Sequence, residues 1–305
     1  MTLGVAQMGQ AEGKFVDANG VRLHCVEAGQ GPLVLLLHGF PQFWYAWRHQ
    51  IPALAAAGFR VVAPDLRGYN LSDKPTGVGS YTLDVLAADV ADLVARLGAR
   101  TAAVVGHDWG AAIAWRLASQ YPTLVERVVA INGPHPRAFV RELRRGDQLL
   151  RSSYIGFFQI PWLPEVVIRA ANFALLERLL RRQPVRPGAF SDEDIRRHKA
   201  ALAQPGALTA ALNYYRAIRR RPRVATLDDD RRGGRVEQPT LVIWGDRDRM
   251  LNASATEGLE RWVPNVRVEH IPDASHWVLA DAPARVNELL IRFLSGEGTA
   301  AGRPR

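Results

Sequence analysis

Gly106-His107-Asp108-Trp109-Gly110 follows a short apolar run, Ala102 to Val105, and opens a stretch of helical patterning. A sharp strand-to-helix turn of this kind exposes its central side chain. The flanking glycines are needed because the turn crowds the backbone. The central residue is Asp108, a carboxylate rather than a hydroxyl or thiol. A carboxylate in that position can displace at an sp³ carbon and form an alkyl ester, which water then cleaves. An aspartate that only caps the following helix is the plainer alternative. Strand, paired glycines and helix together weigh against it. A serine esterase or lipase is excluded at the turn itself, which holds no serine.

Hydrolases built on such a turn supply their groups in the chain order nucleophile, acid, histidine. Two later segments fit that order: Trp244-Gly245-Asp246-Arg247-Asp248, and Pro272-Asp273-Ala274-Ser275-His276-Trp277. His276 sits on a loop beyond a strand end, where a general base could reach a water at an Asp108 ester. The other seven histidines lack that placement. Asp248 is favoured as the acid that orients His276, being further into its loop. Asp246 stays open as its rival and Asp273 as a weaker one. His38-Gly39-Phe40-Pro41 follows the apolar run Leu33 to Leu37. A turn there aims backbone N–H groups into the site. The N–H groups of Phe40 and Trp109 are expected to form an oxyanion hole, with Pro41 tightening the turn.

The elements that must hold these groups follow from periodicity. Leu33 to Leu37, Val61 to Ala63 and Ala102 to Val105 read as buried strands, and a further strand is expected over Val125 to Ile131. Helical patterns cover about Phe43 to Ala57, Thr82 to Leu97 and Trp109 to Tyr121, the last stopped by Pro122. This alternation implies an α/β fold, a mostly parallel sheet with helices on both faces. From about Gly133 to Val236 the chain turns helical in composition and is punctuated by prolines. The strand pattern returns at Thr240 to Trp244. It is followed by a helix near Ala253 to Trp262, a strand over Val266 to Ile271 and a helix over Pro283 to Leu294. The expected organisation is a first core part over 14–133, an inserted helical cap over 134–236, a second core part over 237–295, and a disordered tail over 296–305.

The chain has 305 residues, 48% of them hydrophobic, enough for one large domain with an insertion. Its net charge is +9, and all but three of its 39 basic residues are arginine, in short clusters such as Arg144-Arg145, Arg181-Arg182 and Arg219 to Arg221. No nucleic-acid-binding module accompanies them, so they read as a solvated surface. No apolar run approaches the ~18 to 20 residues of a membrane span. The N-terminal residues do not read as a secretory signal. Cys25 is the only cysteine, so no intrachain disulfide can form, and a cytoplasmic location is expected. Neither a metal-ligand cluster nor a dinucleotide fingerprint is present, so no metal or organic cofactor is implied. Oligomeric state is open, a homodimer included.

His38-Gly39-Phe40-Pro41 together with Gly106-His107-Asp108-Trp109-Gly110 resembles the soluble epoxide hydrolases of the α/β-hydrolase fold, over about Phe15 to Leu294. Asp65-Leu66-Arg67-Gly68-Tyr69 belongs to the same resemblance but is common across the superfamily. The resemblance implies an epoxide substrate, water as co-substrate and a vicinal diol product. It also implies two cap tyrosines that donate to the epoxide oxygen. Tyr154 matches the first by its spacing to Gln159, and Tyr215 the second, with Tyr214 as a register rival. Aromatic packing is the plain alternative for each. Haloalkane dehalogenases are similar too, since they place Asp and then Trp at the elbow. Their second halide donor would here have to be Trp162, and their frequent Asn after the first His-Gly is Phe40. A non-catalytic binding protein on the same fold is the reading from a different class.

Overall fold

A computed structural model of the chain describes residues 12–218 and 234–296. Eight strands form one sheet in the order β1-β2-β4-β3-β5-β6-β7-β8. They are β1 (Glu12–Ala18), β2 (Val21–Ala28), β3 (Leu33–Leu37), β4 (Arg60–Pro64), β5 (Ala102–His107), β6 (Val125–Ile131), β7 (Thr240–Gly245) and β8 (Val266–Ile271). The β1–β2 and β2–β4 pairs are antiparallel and every other pair is parallel. The apolar runs are buried on both faces, as central parallel strands must be. Leu33, Leu35 and Leu37 face one core while Val34 and Leu36 face the other.

Helices α1 (Gln50–Ala56), α2 (Leu83–Arg96) and α3 (Trp109–Gln120) cover the sheet, joined later by α10 (Val278–Asp281) and α11 (Pro283–Leu294). Between β6 and β7 the chain runs through α4 (Pro136–Leu143), α5 (Asp147–Arg151), α6 (Ser153–Phe158), α7 (Leu163–Arg182), α8 (Asp192–Ala203) and α9 (Ala207–Ala217). β6 and β7 are parallel neighbours, so this excursion leaves from the carboxyl edge of the sheet. It is fastened to the core by buried links. Arg48 pairs with Asp194 at 3.2 Å and donates to the Ala189 carbonyl at 3.1 Å. The Tyr214 hydroxyl donates to the Arg67 carbonyl at 2.7 Å.

Two expectations need correction, and one element went unread. The single helix over Phe43 to Ala57 is a 3-10 turn, Trp44–Trp47, followed by α1. Pro52 lacks an N–H and its ring collides with the carbonyl four residues back, so a helix cannot run unbroken through Arg48. The helix near Ala253 to Trp262 is two 3-10 turns, Ala253–Thr256 and Leu259–Arg261. Glu257 is extended and Gly258 left-handed at φ 64°, which splits the segment. The hairpin of β1 and β2 went unread, although its two-residue Asn19-Gly20 turn, with φ of 48° and 73°, has the chemistry of a tight hairpin. The cluster Arg219 to Arg221 and the tail over 297–305 lie outside the described residues.

Candidate active site

Strands β3 to β8 run parallel and end at the same edge of the sheet, and the segments that follow β3, β5, β6, β7 and β8 contribute to one cluster. This is where open α/β sheets gather their ligand-binding groups. Leu37 of β3 pairs with Gly106 of β5, so the Gly39-Phe40 turn falls beside Asp108. Phe40 N–H donates to Asp108 Oδ1 at 2.8 Å, and the Trp109 N–H also reaches this carboxylate. The Phe40-Pro41 peptide is cis.

Asp108 takes φ 54°, a conformation rare for a residue with a side chain. The turn is closed by glycines that cannot be replaced without collision. A Cβ on Gly106 would strike the Gly110 backbone, one on Gly110 the Leu37 carbonyl, and one on Gly39 the Asp108 side chain itself. The Asp108 side chain keeps 16% of its exposure. Burial raises its carboxyl above the usual 3.8, while His276 and the two backbone N–H groups pull the other way.

His276 lies on the loop after β8, with Nε2 3.8 Å from Asp108 Oδ2 and Nδ1 2.8 Å from Asp248 Oδ2. Burial would lower its pKa, but Asp248 and Asp108 outweigh that and raise it above 6.5. Asp248 is buried too. His276 and its hydrogen bonds overcome that burial and hold the carboxyl below 3.8. It also accepts from Asn132 Nδ2 at 2.8 Å and from the Met250 and Leu251 N–H groups at 2.7 and 3.0 Å. Asp246 instead pairs with the exposed His270 at 2.5 Å, and Asp273 with Arg247 at 2.6 Å, both away from His276.

Tyr215, on α9, is buried among Phe40, Trp109, Phe158 and Tyr154, with ring centroids 5.0 to 5.9 Å away. Burial lifts both phenols well above 10, and the Asp108 charge lifts them further. Tyr214 points the other way, its hydroxyl spent on the Arg67 carbonyl. Gln159 donates to the Tyr215 carbonyl at 3.0 Å and Arg216 to the Phe158 carbonyl at 2.9 Å, so α6 and α9 hold one another in register. Trp162 stands 70% exposed at the start of α7.

Two contributors escaped the sequence reading. Asn132, at the end of β6, bridges Asp248 and the Gly245 N–H, which donates to its Oδ1 at 2.9 Å. Its place directly after a parallel strand was the signal. His107, fully buried and pushed down to about 3 by that burial and by His276, hydrogen-bonds through Nε2 to the His276 carbonyl at 2.8 Å. A neutral ring donates there and pins the His276 loop.

Residues 32–283 match the α/β hydrolase fold family. The AB hydrolase superfamily protein YfhM of Bacillus subtilis is 43% identical over 294 residues, 93% of this chain and 98% of that one. Human Epoxide hydrolase 4 is 39% identical over 290 residues, covering 92% of this chain and 78% of its own. Among solved structures, an epoxide hydrolase of Bacillus megaterium bound to an inhibitor superposes with a TM-score of 0.82 at 35% identity, covering 92% of this chain and all of that one. Among the described residues no helix is long and apolar enough to cross a membrane. Fold, motifs and relatives agree: the chain belongs to the α/β-hydrolase fold family, within its epoxide hydrolases.

Proposed function

We propose that the chain hydrolyses an epoxide to a vicinal diol through a covalent ester on Asp108. The observation that carries this reading is the pairing of two phenols, half-buried Tyr154 and buried Tyr215, with ring centroids 5.9 Å apart, the second packed on Phe40 and Trp109, the two residues whose N–H groups meet the Asp108 carboxylate. Asp108 Oδ1 is engaged by the Phe40 N–H, which leaves Oδ2 as the attacking oxygen. Oδ2 attacks an epoxide carbon. The carbon–oxygen bond breaks, its electron pair stays on oxygen, and that oxygen takes a proton from a tyrosine hydroxyl. Phenols with raised pKa hold their protons until the oxygen becomes basic, as this step needs.

His276 Nε2 then takes a proton from water, and the resulting hydroxide adds to the carbonyl carbon of the ester. Asp248 stabilises the imidazolium. The Phe40 and Trp109 N–H groups hold the oxyanion of the tetrahedral intermediate. Its collapse releases the diol, the His276 proton passing to the leaving oxygen, and the proton left on the Asp108 carboxyl then passes by way of solvent to the tyrosinate, restoring both groups. The insert over 134–236 serves as the cap that carries the phenols and keeps bulk water from the ester. A cytoplasmic location belongs to the same proposal, supported by the single cysteine, Cys25, buried as a free thiol.

Halide displacement by the same carboxylate is disfavoured. The Trp109 side chain interacts with Tyr215, and Trp162 is turned to solvent. Intact mass of His276→Gln protein after exposure to styrene oxide or to a short bromoalkane decides between the readings. The expected result is an adduct equal to the whole epoxide, absent when Asp108→Ala is added. An adduct from the bromoalkane alone would reassign the tyrosines to packing.

A further inference from the structure

Charge and exposed apolar surface are both concentrated on the helical insert. Between Pro134 and Ile218, fourteen Arg and Lys residues stand against seven Asp and Glu, a surplus of seven in a chain whose net charge is +9. Of the ten large hydrophobic side chains exposed among the described residues, eight lie on the insert, Leu149 to Ile218. Single exposed apolar residues need no explanation, but a concentration of them on one module does.

α7 shows how the two properties combine. It breaks at Ala170 to Phe173, where Ala171, Asn172 and Phe173 take left-handed φ of 46°, 53° and 59°. Each half buries one side, Pro164 and Ile168 in the first, Phe173, Leu176 and Leu180 in the second. Trp162, Val166 and Leu175 are left 70%, 57% and 50% exposed. The two carboxylates of α7 are already neutralised, Glu165 by Arg216 and Glu177 by Arg181 and Lys199. Arg169, Arg178 and Arg182 have no ion pair among the described residues. The helix therefore presents apolar and aromatic side chains beside uncompensated guanidinium groups. Arginine can lay its stem on an apolar layer while its head meets anionic groups above it.

We infer that the outward side of α7, with Trp162 at its head, is a docking face for an anionic lipid bilayer, on which the protein adsorbs without crossing it. Apolar burial at the headgroup boundary and attraction of the arginines to anionic lipid both contribute to binding of this kind. The arginines gain a partner of opposite charge. The face lies outside the Asp108 cluster, so the inference does not rest on the proposed reaction.

Co-sedimentation of the full chain with vesicles tests it, using phosphatidylcholine alone and phosphatidylcholine mixed with an equal part of phosphatidylglycerol. Binding is expected to the mixed vesicles only, with release at high salt as the charges are screened. Replacing Arg169, Arg178 and Arg182 together by Gln should weaken it about 100-fold, and Trp162→Ala with Val166→Asp should abolish it. An unchanged thermal melt of these variants shows that the fold is intact. Absence of binding to either vesicle, or binding that none of these substitutions alters, would overturn the inference. A monomer–dimer equilibrium abolished by the same substitutions, with no vesicle binding, would assign the face to a second copy and overturn it equally.

Discussion

The two charged neighbours of His276 set how the proposed reaction responds to pH. Its pKa is raised above 6.5 despite burial, because Asp248 and Asp108 both favour the imidazolium. The ring must be neutral to accept a proton from water. Hydrolysis of the ester should therefore accelerate as pH rises through the pKa of His276 in the ester, which lies lower than in the free enzyme because esterified Asp108 carries no charge, while alkylation of Asp108 should not follow that limb. Asp248→Asn removes one anion, so the limb should move to lower pH as the overall rate falls. Single-turnover rates of the two half-reactions across pH check both statements, and a limb unmoved by Asp248→Asn would detach that carboxylate from His276. Stability responds with the opposite sign at His276 and with the same sign at Asp248. A raised histidine contributes stability that is present below its unfolded pKa and lost as pH rises through the folded one. Asp248, depressed below 3.8, contributes stability above its unfolded value that is lost as pH falls through the folded one.

Among the elements, the strand ends position the chemistry and the turns between them leave no spare volume. Gly110 faces the Leu37 and His38 carbonyls at the crossing of β3 and α3. Gly110→Ala has no relaxed solution because the obstacles are backbone atoms. A loss of about 3 kcal/mol or more is expected in chemical denaturation, enough to abolish soluble expression in a marginal fold. Asn132 tests the neighbouring strand end. Asn132→Ala leaves both a buried carboxylate oxygen and the Gly245 N–H without that partner, which should cost about 2 to 3 kcal/mol. It should also slow ester hydrolysis more than alkylation, since Asp248 acts on His276 rather than on Asp108. Denaturant titration and pre-steady-state kinetics on one preparation separate the two effects, and equal slowing of both steps would point to general loosening. The Asp65 to Tyr69 segment has a structural task instead. Asp65 accepts from His24 and Asn70, and Arg67 pairs with Asp89 while its carbonyl receives the Tyr214 hydroxyl.

For the molecule as a whole, the relation between sheet and insert decides whether the phenols stand over the carboxylate. Arg48 joins them from the core side, paired with Asp194 of α8 and walled by the rings of Tyr45 and Phe190. Removing one partner of a buried ion pair leaves the other uncompensated. Arg48→Ala should destabilise by about 3 to 5 kcal/mol, whereas the joint replacement of Arg48 and Asp194 by apolar residues should cost much less. A double-mutant cycle followed by thermal melts measures the coupling, and additive losses would show that the pair does not hold the insert.

Much of this was legible without coordinates because it depends on short-range chemistry. The central strands are apolar runs bounded by turn residues, and the elbow needs glycines on either side of Asp108 wherever it occurs. The order of Asp108, Asp248 and His276 along the chain follows from the order of the strands that carry them. What the sequence could weigh but not fix was the choice between near neighbours. Asp246 and Asp248 differ by two positions, Tyr214 and Tyr215 by one; loop position favours Asp248 and the family resemblance Tyr215, but neither sets where the side chains point. Tertiary packing does: Asp246 meets His270 at the surface, Asp248 meets His276, Tyr214 is taken by the Arg67 carbonyl, and Tyr215 packs against Phe40 and Trp109 beside Asp108. Asn132 and His107 were hidden for the same reason, since their partners lie 116 and 169 residues away in the chain. A sequence encodes which groups are available and what turns they occupy, while direction in space is a property of the strands and helices packed around them.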